Sequence, residues 1–224
     1  MNTKVIEQIN EFEELKDKWD NLLEESNYPN IFLTWEWLFE WYKWFGGQSK
    51  LYIITVWDNK DLIAIAPFVK ERIKLLNITL IKFLGTTYVC SDYLNIITKK
   101  GFETQAIEEI FSFIAADKSW DIVELRDMDQ DAINVELFLR ESIHKKFTVN
   151  TEITVKCPYI VLPSSMAEFY SRLGHDPRYK IRRNKRNMIE LFQYQIKHIN
   201  NIKKLFEALE LMFELNKQCY LVKQ

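Results

Sequence analysis

The chain has 224 residues, of which 47% are apolar and 14% aromatic, and its formal net charge is -2. This composition excludes a disordered or collagen-like chain and predicts a packed globular core. No stretch approaches the ~18 consecutive apolar residues of a membrane span, and the N-terminus lacks a signal-peptide layout, so we expect a cytoplasmic protein without a membrane partner. The three cysteines show no CxxC spacing and no histidine cluster lies near them, which predicts free thiols and no metal site.

The first half of the chain predicts a strand, two helices and three strands. In order, these are a strand at 3–9, helices at about 11–25 and 34–45, and strands at 51–57, 62–68 and 78–84. Asn10 and Thr34 are placed to cap the two helices, and Gly46 and Gly47 mark the end of the second. The sequence DNKD before the second of the three strands is a hairpin signal, so these strands are expected to pair antiparallel.

The second helix is densely aromatic, with the sequence TWEWLFEWYKWFGG. On a wheel of about 100° per residue, Glu36, Glu40 and Lys43 form one narrow stripe, and aromatic or aliphatic side chains fill the remaining arc. So wide an apolar arc predicts a helix packed in a core on more than one side. Under the alternative interpretation some of these rings line a ligand cleft, and Trp35 and Trp37 are the two best placed to do so.

The next part of the sequence, up to about residue 163, predicts alternating strands and helices. Strands are predicted at 93–98 and 120–126, helices near 106–114 and over 131–144, and one or two closing strands within 147–163. After Pro163 the pattern starts again. Ser165 and Glu168 have capping-box spacing, and a basic helix then runs to about Phe192.

A strand at 194–199 and an amphipathic helix over 202–213 follow, and they repeat the order with which the chain begins. We therefore predict a first lobe, a basic helical linker and the beginning of a truncated second lobe, at 1–162, 163–192 and 193–224. The unfinished last helix leaves an apolar stripe through which two copies could pair.

Short motifs extend over nearly the whole chain. They are Phe32-x-Thr34-x-Glu36-Trp37 leading to Trp44-Phe45-Gly46, Ala66-Pro67-Phe68, Phe83-x-Gly85, Ser91-Asp92-Tyr93, Trp120-Asp121 before Glu124-Leu125, and an Arg-rich helix after Leu162-Pro163. With the order of the elements, they resemble the GNAT acyltransferase fold, and in particular the CelD-like acetyltransferases, which have two such lobes and are related to the FemAB aminoacyltransferases. The resemblance implies a mixed α/β (α+β) protein: a GNAT-like, mainly antiparallel sheet flanked by helices, followed by the start of a second GNAT-like lobe.

The same resemblance implies an N-acyltransferase that moves an acyl group from acyl-CoA to an amine of a small or sugar-like acceptor. The amine attacks the thioester directly, so a general base and N–H donors for the oxyanion suffice. The chain has neither GxSxG nor a Cys/His pair at recognisable spacing, which excludes the usual hydrolases but not such a transferase. The sequence identifies no catalytic residue, and His144, His175 and His198 are isolated.

A GNAT lobe holds the CoA pyrophosphate on a [QR]xxGx[GA] loop before a helix. The equivalent stretch here runs from Thr98 to Glu103, in which Gly101 matches but Glu103 stands where Gly or Ala is needed. A carboxylate in the first helical turn takes up the positive end of the dipole that a phosphate would use. Lys99 and Lys100 could restore binding. We expect acyl-CoA to bind mainly in the second lobe, so that this chain alone is nearly inactive.

Two groups of residues are candidates for substrate binding. Six basic residues and no acid lie between Arg178 and Arg186, and within them Arg178, Arg182 and Arg183 are candidates for a cationic wall of the interlobe cleft. A solvated linker helix and a nucleic-acid contact are the alternatives. The second group, in a polar loop, consists of Tyr88, Ser91, Asp92 and Tyr93, which could hydrogen-bond an acceptor or simply form a solvated turn.

Two other functions remain open from the sequence. A FemAB-like aminoacyltransferase would take its donor from charged tRNA, and a non-catalytic GNAT-like module would recognise a partner or a polyanion. Binding of acyl-CoA would favour the first hypothesis, whereas binding of RNA alone would favour one of these two. Outside the tRNA case, a nucleic-acid partner is not expected, because the pI is about 6.0 and no DNA- or RNA-binding motif accompanies the basic helix.

Overall fold

The computed structural model describes residues 1–47, 49–87, 89–192, 194 and 196–221. The chain divides into an N-terminal unit, Met1–Glu152, and a C-terminal unit, Ile153–Gln224. The elements of the N-terminal unit are β1 (Asn2–Ile6), α1 (Ile9–Glu14), α2 (Lys16–Glu24), a 3-10 helix (Ile31–Leu33), α3 (Trp35–Phe45), β2 (Lys50–Asp58), β3 (Asp61–Ile73), β4 (Ile78–Phe83), β5 (Ile97–Thr98), α4 (Glu103–Ala116), β6 (Ile122–Glu124) and α5 (Ile133–His144).

One mostly antiparallel sheet organises the N-terminal unit. Its strand order is β1-β2-β3-β4-β6, and β5 also pairs with β3. The β2–β3 hairpin closes at Asp58 and Asp61, with Asn59 in the left-handed region at φ 54°. Among the described strands only β4 and β6 pair in parallel, and α4 lies between β5 and β6 in the chain. The predicted mixed α/β fold with a mainly antiparallel sheet flanked by helices is confirmed.

Strands β4 and β5 share one edge of β3 and leave a gap between them. β4 pairs with residues 68–73 of β3, and β5 pairs only with Ala64 and Ile65. Just after β4, the Leu84 N–H donates to the Pro67 carbonyl at 2.8 Å. Residues 84–96 leave the sheet edge at this point. The predicted strand at 93–98 is therefore reduced to its last two residues.

The core lies on both faces of the sheet. Consecutive residues are buried along β2 from 51 to 56 and along β3 from 62 to 69, which requires cover on each side because alternate side chains point to opposite faces. Helix α4 packs on β1, β2 and β3, and α2 packs on β3 and β5. Trp19 of α2 is fully buried, and its indole N–H donates to the Leu33 carbonyl at 2.8 Å.

The aromatic helix is α3, and the core interpretation holds for most of it. Leu38, Phe39 and Trp41 are buried, and Thr34 caps the helix by accepting the Trp37 N–H. The prediction of a wide buried arc is wrong at Phe45, which is 41% exposed, and at Trp44, which is 75% exposed. Its indole N–H donates to the Glu40 carboxylate at 3.0 Å, so this ring lies along the charged stripe instead of the core.

Three other predicted elements differ from the structure. The first helix begins at Ile9, so the predicted cap at Asn10 is wrong, and it is broken at Leu15 into α1 and α2. The strand predicted at 120–126 is only β6. The closing strands predicted within 147–163 do not form, and most of their apolar side chains, such as Tyr159, are exposed. Alternation of residue types favours a strand only where a partner edge supplies ladder hydrogen bonds, and no described strand pairs with this segment.

The C-terminal unit contains helices α6 (Met166–Arg172), α7 (His175–Leu191) and α8 (Ile202–Leu221). The predicted cap at Ser165 is present, because its hydroxyl accepts the Glu168 N–H at 3.2 Å. The predicted basic helix is interrupted at Leu173 and Gly174, where α6 ends and α7 begins. Residue 195 of the predicted strand at 194–199 lies outside the described residues, and its other residues form no strand.

Candidate functional site

The loop of residues 84–96, of which 84–87 and 89–96 are described, has an unusual backbone. Gly85 has φ 96°, and a Cβ added there would lie 2.9 Å from Leu38 Cδ2. Thr87, Cys90 and Tyr93 also have positive φ values, of 65°, 51° and 56°. Each non-glycine residue in this region costs on the order of 1 kcal/mol or more, and such residues concentrate at functional sites. The loop is therefore a candidate functional site.

Three hydrogen bonds fix this loop to the rest of the unit. The Trp37 indole N–H donates to Ser91 Oγ at 3.0 Å, and the Asn30 amide donates to the Tyr93 carbonyl at 3.2 Å. The Leu94 N–H donates to the Asp127 carbonyl at 2.9 Å. Of the predicted site residues, Trp37 and Ser91 are thus brought together, and Ser91 is buried.

The other predicted residues of this region have separate environments. Trp35 stacks on Phe39 with 4.2 Å between ring centroids, and its indole N–H donates to the Phe12 carbonyl at 2.9 Å, so it belongs to the core. Asp92 and Tyr93 are exposed on the loop. Tyr88 lies outside the described residues.

A carboxylate pair forms where this loop meets the segment after β6. Partial burial, and then the neighbouring Asp92 carboxylate, raise the pKa of Asp127 above its ordinary value. Asp127 itself has a left-handed backbone at φ 61°. Sequence reasoning missed Asp127, although aspartates at 127, 129 and 131 at alternate positions after a strand were a visible signal of a polar loop.

A cavity of about 180 Å³ opens beside this pair of loops. Three segments that are distant in sequence supply its walls: 28–30, 93–95 and 129. The lining residues are Tyr28, Pro29, Asn30, Tyr93, Asn95 and Asp129. The described lining therefore contains two aromatic rings, two amides and a carboxylate, but no lysine or arginine.

The floor of the cavity is a buried polar network. Asn95 is only 3% exposed, and its Oδ1 accepts the Ile96 N–H at 2.8 Å and the Asn134 amide at 3.3 Å. The Asn134 amide also donates to the Ile96 carbonyl at 2.7 Å, and Asn134 Oδ1 accepts from Thr98 Oγ1 at 3.3 Å. Helix α5 and strand β5 are thereby held together, and the orientation of the Asn95 side chain is fixed.

The loop that resembles a phosphate-binding turn is closed by its own side chain. Glu103 Oε2 accepts the Gly101 N–H at 2.9 Å, and its Oε1 accepts from the Asn27 amide. The Phe102 N–H donates to the Lys99 carbonyl at 3.0 Å. Lys99 pairs with Glu25 at 2.8 Å, so this cation is also engaged inside the unit.

The three candidate arginines lie in the C-terminal unit. Arg178 Nη2 donates to the Leu173 carbonyl at 2.8 Å, which closes the junction between α6 and α7. The Arg182 guanidinium lies 5.6 Å from the centroid of the Tyr170 ring, a cation–π contact. Arg183 is exposed. Arg178 and Arg182 thus have structural contacts that the sequence did not predict.

A second polar cluster, between the sheet and the end of α4, was also missed. Asp117 Oδ2 accepts from Tyr52 at 2.7 Å and from Lys70 at 2.5 Å, and Lys70 donates further to Ser119 Oγ at 2.7 Å. Partial burial opposes ionisation of Asp117, but hydrogen bonds from Lys70, Ser119 and Tyr52 lower its pKa well below the ordinary value. Burial, and then the bond to Asp117, raise the pKa of Tyr52. Each of these polar groups has a partner within the cluster, and Tyr52, Lys70, Asp117 and Ser119 also line a second cavity, of about 510 Å³.

Two kinds of feature are absent from the described part of the chain. No group of three or more His, Cys, Asp or Glu side chains there could hold a metal ion. No helix among the same residues is sufficiently long and apolar to cross a bilayer.

Comparison with known proteins gives only distant likenesses. No protein-family model matches the chain, and no curated protein matches it. A point mutant of TTHA1254 from Thermus thermophilus is 11% identical with a TM-score of 0.40, over 74% of this chain and 100% of that one. A possible acetyltransferase from Clostridium difficile 630 is 11% identical with a TM-score of 0.39, over 73% of this chain and 100% of that one. Likenesses at this level do not indicate a substrate.

Proposed function

We propose that this chain is part of an N-acyltransferase of the GNAT-like type, in which the N-terminal unit binds the amine acceptor and the nucleotide of the acyl donor is held outside that unit. The motifs in the sequence and the mainly antiparallel sheet support the class of protein. The division of labour is supported by the contrast between a closed phosphate loop and an open acidic cavity in the same unit.

The observation that carries this proposal is the bond from the Gly101 N–H to Glu103 Oε2 at 2.9 Å. A pyrophosphate bound at a helix N-terminus needs free backbone N–H groups and the positive end of the dipole. Glu103 uses one of these groups and adds a negative charge in the first turn of α4. We infer that acyl-CoA is bound mainly by the second lobe, as the resemblance implies.

The acceptor side has a candidate general base for amine acylation. The Asp92 and Asp127 carboxylates belong to the loops beside the cavity, and the raised pKa of Asp127 favours its acting as the proton acceptor. In the transfer, the amine nitrogen attacks the thioester carbonyl carbon, the C–S bond breaks, and the thiolate leaves with the electron pair. Of the two protons that the ammonium loses, one passes through a carboxylate to water and the other ends on the thiolate.

The test is amide formation from acetyl-CoA and primary amines by the protein that contains this chain. We expect an acetylated amine, detected by mass spectrometry, together with free CoA thiol. Asp127→Asn should lower kcat/KM by about 10²-fold or more, the range for a general base, whereas Asp131→Asn should retain the rate. Failure of the protein to acetylate any primary amine would contradict the proposal.

A second candidate, an aminoacyltransferase that takes its donor from charged tRNA, is favoured by the basic helix α7. Arg178 to Arg186 contains six basic residues and no acid, and all but Arg178 of these are exposed. Thermal stabilisation by tRNA, with none by acetyl-CoA, would favour this candidate. It would also favour a non-catalytic polyanion-binding module, and a test for aminoacyl transfer separates these two.

A further inference from the structure

Asn95 presents an unused hydrogen-bond donor to the cavity of about 180 Å³. Its Oδ1 accepts from two donors, the Ile96 N–H and the Asn134 amide, so the position of the oxygen is fixed by the network and the NH₂ group takes the other side. No described residue accepts a hydrogen bond from that NH₂ group. The side chain is 3% exposed and lines the cavity. This NH₂ group is not among the fully buried side-chain atoms that lack a partner, so it is open to the cavity and available to a ligand.

Across the same cavity, Asp129 presents an unused acceptor. Its Oδ1 accepts the Asp131 N–H at 3.0 Å, and its backbone carbonyl accepts the Ala132 N–H at 3.1 Å. Nothing in the described part of the chain donates to Oδ2. A molecule in the cavity would thus find a donor, Asn95 Nδ2, and a charged acceptor, Asp129 Oδ2.

We propose that this cavity binds a small hydroxylated amine, with a hydroxyl oxygen accepting from Asn95 Nδ2 and the ammonium group donating to Asp129. This inference rests on the proposed function, since it names the class of acceptor. It deepens that function by assigning the contacts.

The walls and the charge of the cavity set the rest of the specificity. The rings of Tyr28 and Tyr93 with Pro29 give flat apolar surfaces, the kind of wall against which the C–H face of a hydroxylated ring packs. About 180 Å³ corresponds to the liquid volume of roughly six waters, which suits a single small ring or an amino alcohol. Phosphorylated and carboxylated compounds are disfavoured, because the described lining contains Asp129 and no cation.

The inference is tested by direct binding, without an acyl donor. Glucosamine, glucose and cyclohexylamine are titrated into the full chain, and the side-chain NH₂ signals of Asn95 are followed in ¹H–¹⁵N NMR spectra. We expect glucosamine to shift these signals and to bind about ten-fold or more tightly than either of the others, since each lacks one of the two partners. Glucosamine 6-phosphate should bind more weakly than glucosamine.

A conservative variant and a matched control accompany the titration. Asp129→Asn keeps an oxygen for the Asp131 N–H but loses the charge, so it should reduce glucosamine binding to the level of glucose. Asp131→Asn, in the same exposed loop, should leave binding unchanged. Equal binding of glucosamine and glucose by the wild-type chain, or unaltered binding by Asp129→Asn, would overturn the inference.

The two proposals fail in different ways. Acetylation of some other amine, with no shift of the Asn95 signals by glucosamine, would overturn the assignment of the acceptor class and leave the transferase. Specific binding of glucosamine by a protein that acetylates no amine would leave the cavity assignment and contradict the transferase.

Discussion

Two loops of the N-terminal unit differ in whether their polar groups are satisfied. In the loop before α4, the Gly101 N–H and the Lys99 ammonium are both bound by carboxylates of the same unit, Glu103 and Glu25. In the cavity loops, the Asn95 NH₂ group and Asp129 Oδ2 have no partner among the described residues. The difference shows which groups are open to a ligand: Glu103 occupies the Gly101 N–H in the first loop, whereas the cavity keeps one donor and one acceptor unengaged.

We call a polar cluster closed when its groups are paired with one another, and open when a donor or acceptor is left without a partner. The two kinds should respond to mutation in opposite ways. Removing one member of a closed cluster leaves its partner unsatisfied and lowers the free energy of unfolding, whereas removing one member of an open site lowers affinity and leaves stability nearly unchanged. The Tyr52–Lys70–Asp117 cluster is a second closed example and gives the largest expected effect.

Lys70→Met should therefore destabilise the protein by about 2–3 kcal/mol, because Asp117 is left largely buried without its cation. The value is below that of a fully buried pair because the two side chains are 14% and 21% exposed. Urea denaturation measures the change. Lys74→Met, at the exposed turn after β3, is the control and should change stability by less than about 0.5 kcal/mol; an equal loss in both variants would show that the cluster is not closed.

Gly85→Ala should have the next largest effect and lower the free energy of unfolding by about 2 kcal/mol. The new Cβ meets both an unfavourable φ and Leu38 Cδ2 at 2.9 Å. Gly101→Ala is the matched comparison, since its φ of 88° is equally unfavourable but no atom lies within 4 Å of the added Cβ. The unfolding midpoint should fall further for Gly85→Ala, and the reverse order would contradict the packing described for the cavity loop.

Trp37→Phe should cost about 1 kcal/mol, the value of one hydrogen bond, because Ser91 Oγ loses the indole donor while most of the ring volume is kept. Trp44→Phe, on the same helix but 75% exposed, should be nearly neutral. Chemical denaturation of both variants separates the two roles. A neutral Trp37→Phe would mean that α3 does not hold the loop in place.

The pH dependence of stability tests the Tyr52–Lys70–Asp117 cluster in the wild-type chain, without a mutation. The pKa of Asp117 is lowered in the folded state below its ordinary value of 3.8, so its contribution to stability is present above that pH and is lost as the pH falls below about 4. Lys70→Met should flatten this part of the stability curve. At the alkaline end, the raised pKa of Tyr52 predicts a second loss of stability above about pH 10, where the unfolded chain ionises first.

The sequence predicted features that depend on neighbouring residues better than features that depend on the sheet. The replacement at Glu103 is visible within one turn, because the carboxylate binds an amide two residues away. The caps at Thr34 and Ser165 and the β2–β3 hairpin are equally local. The closing strands at 147–163 failed because a strand also needs a partner edge, which no local pattern supplies.

The cavity could not be predicted for the same physical reason. Its walls come from segments at 28–30, 93–95 and 129, which only the sheet and the turned chain after β4 bring together. The Tyr52–Asp117 bond joins residues 65 positions apart, and Trp37 and Ser91 are 54 apart. The sequence therefore predicted a polar loop at Ser91, Asp92 and Tyr93. It did not predict the amide and carboxylate groups near that loop, which belong to Asn95, Asp127 and Asp129.

The most direct test of the central claim is the backbone amide signal of Gly101 in a titration with CoA. In the wild-type chain this signal should not move, because Glu103 already accepts the N–H; in Glu103→Ala it should shift as CoA is added. Glu109→Ala, an exposed carboxylate on the same helix, should behave as wild type. A saturable shift of the Gly101 amide by CoA in the wild-type chain would contradict the claim that this unit leaves the nucleotide of the donor to another part of the protein.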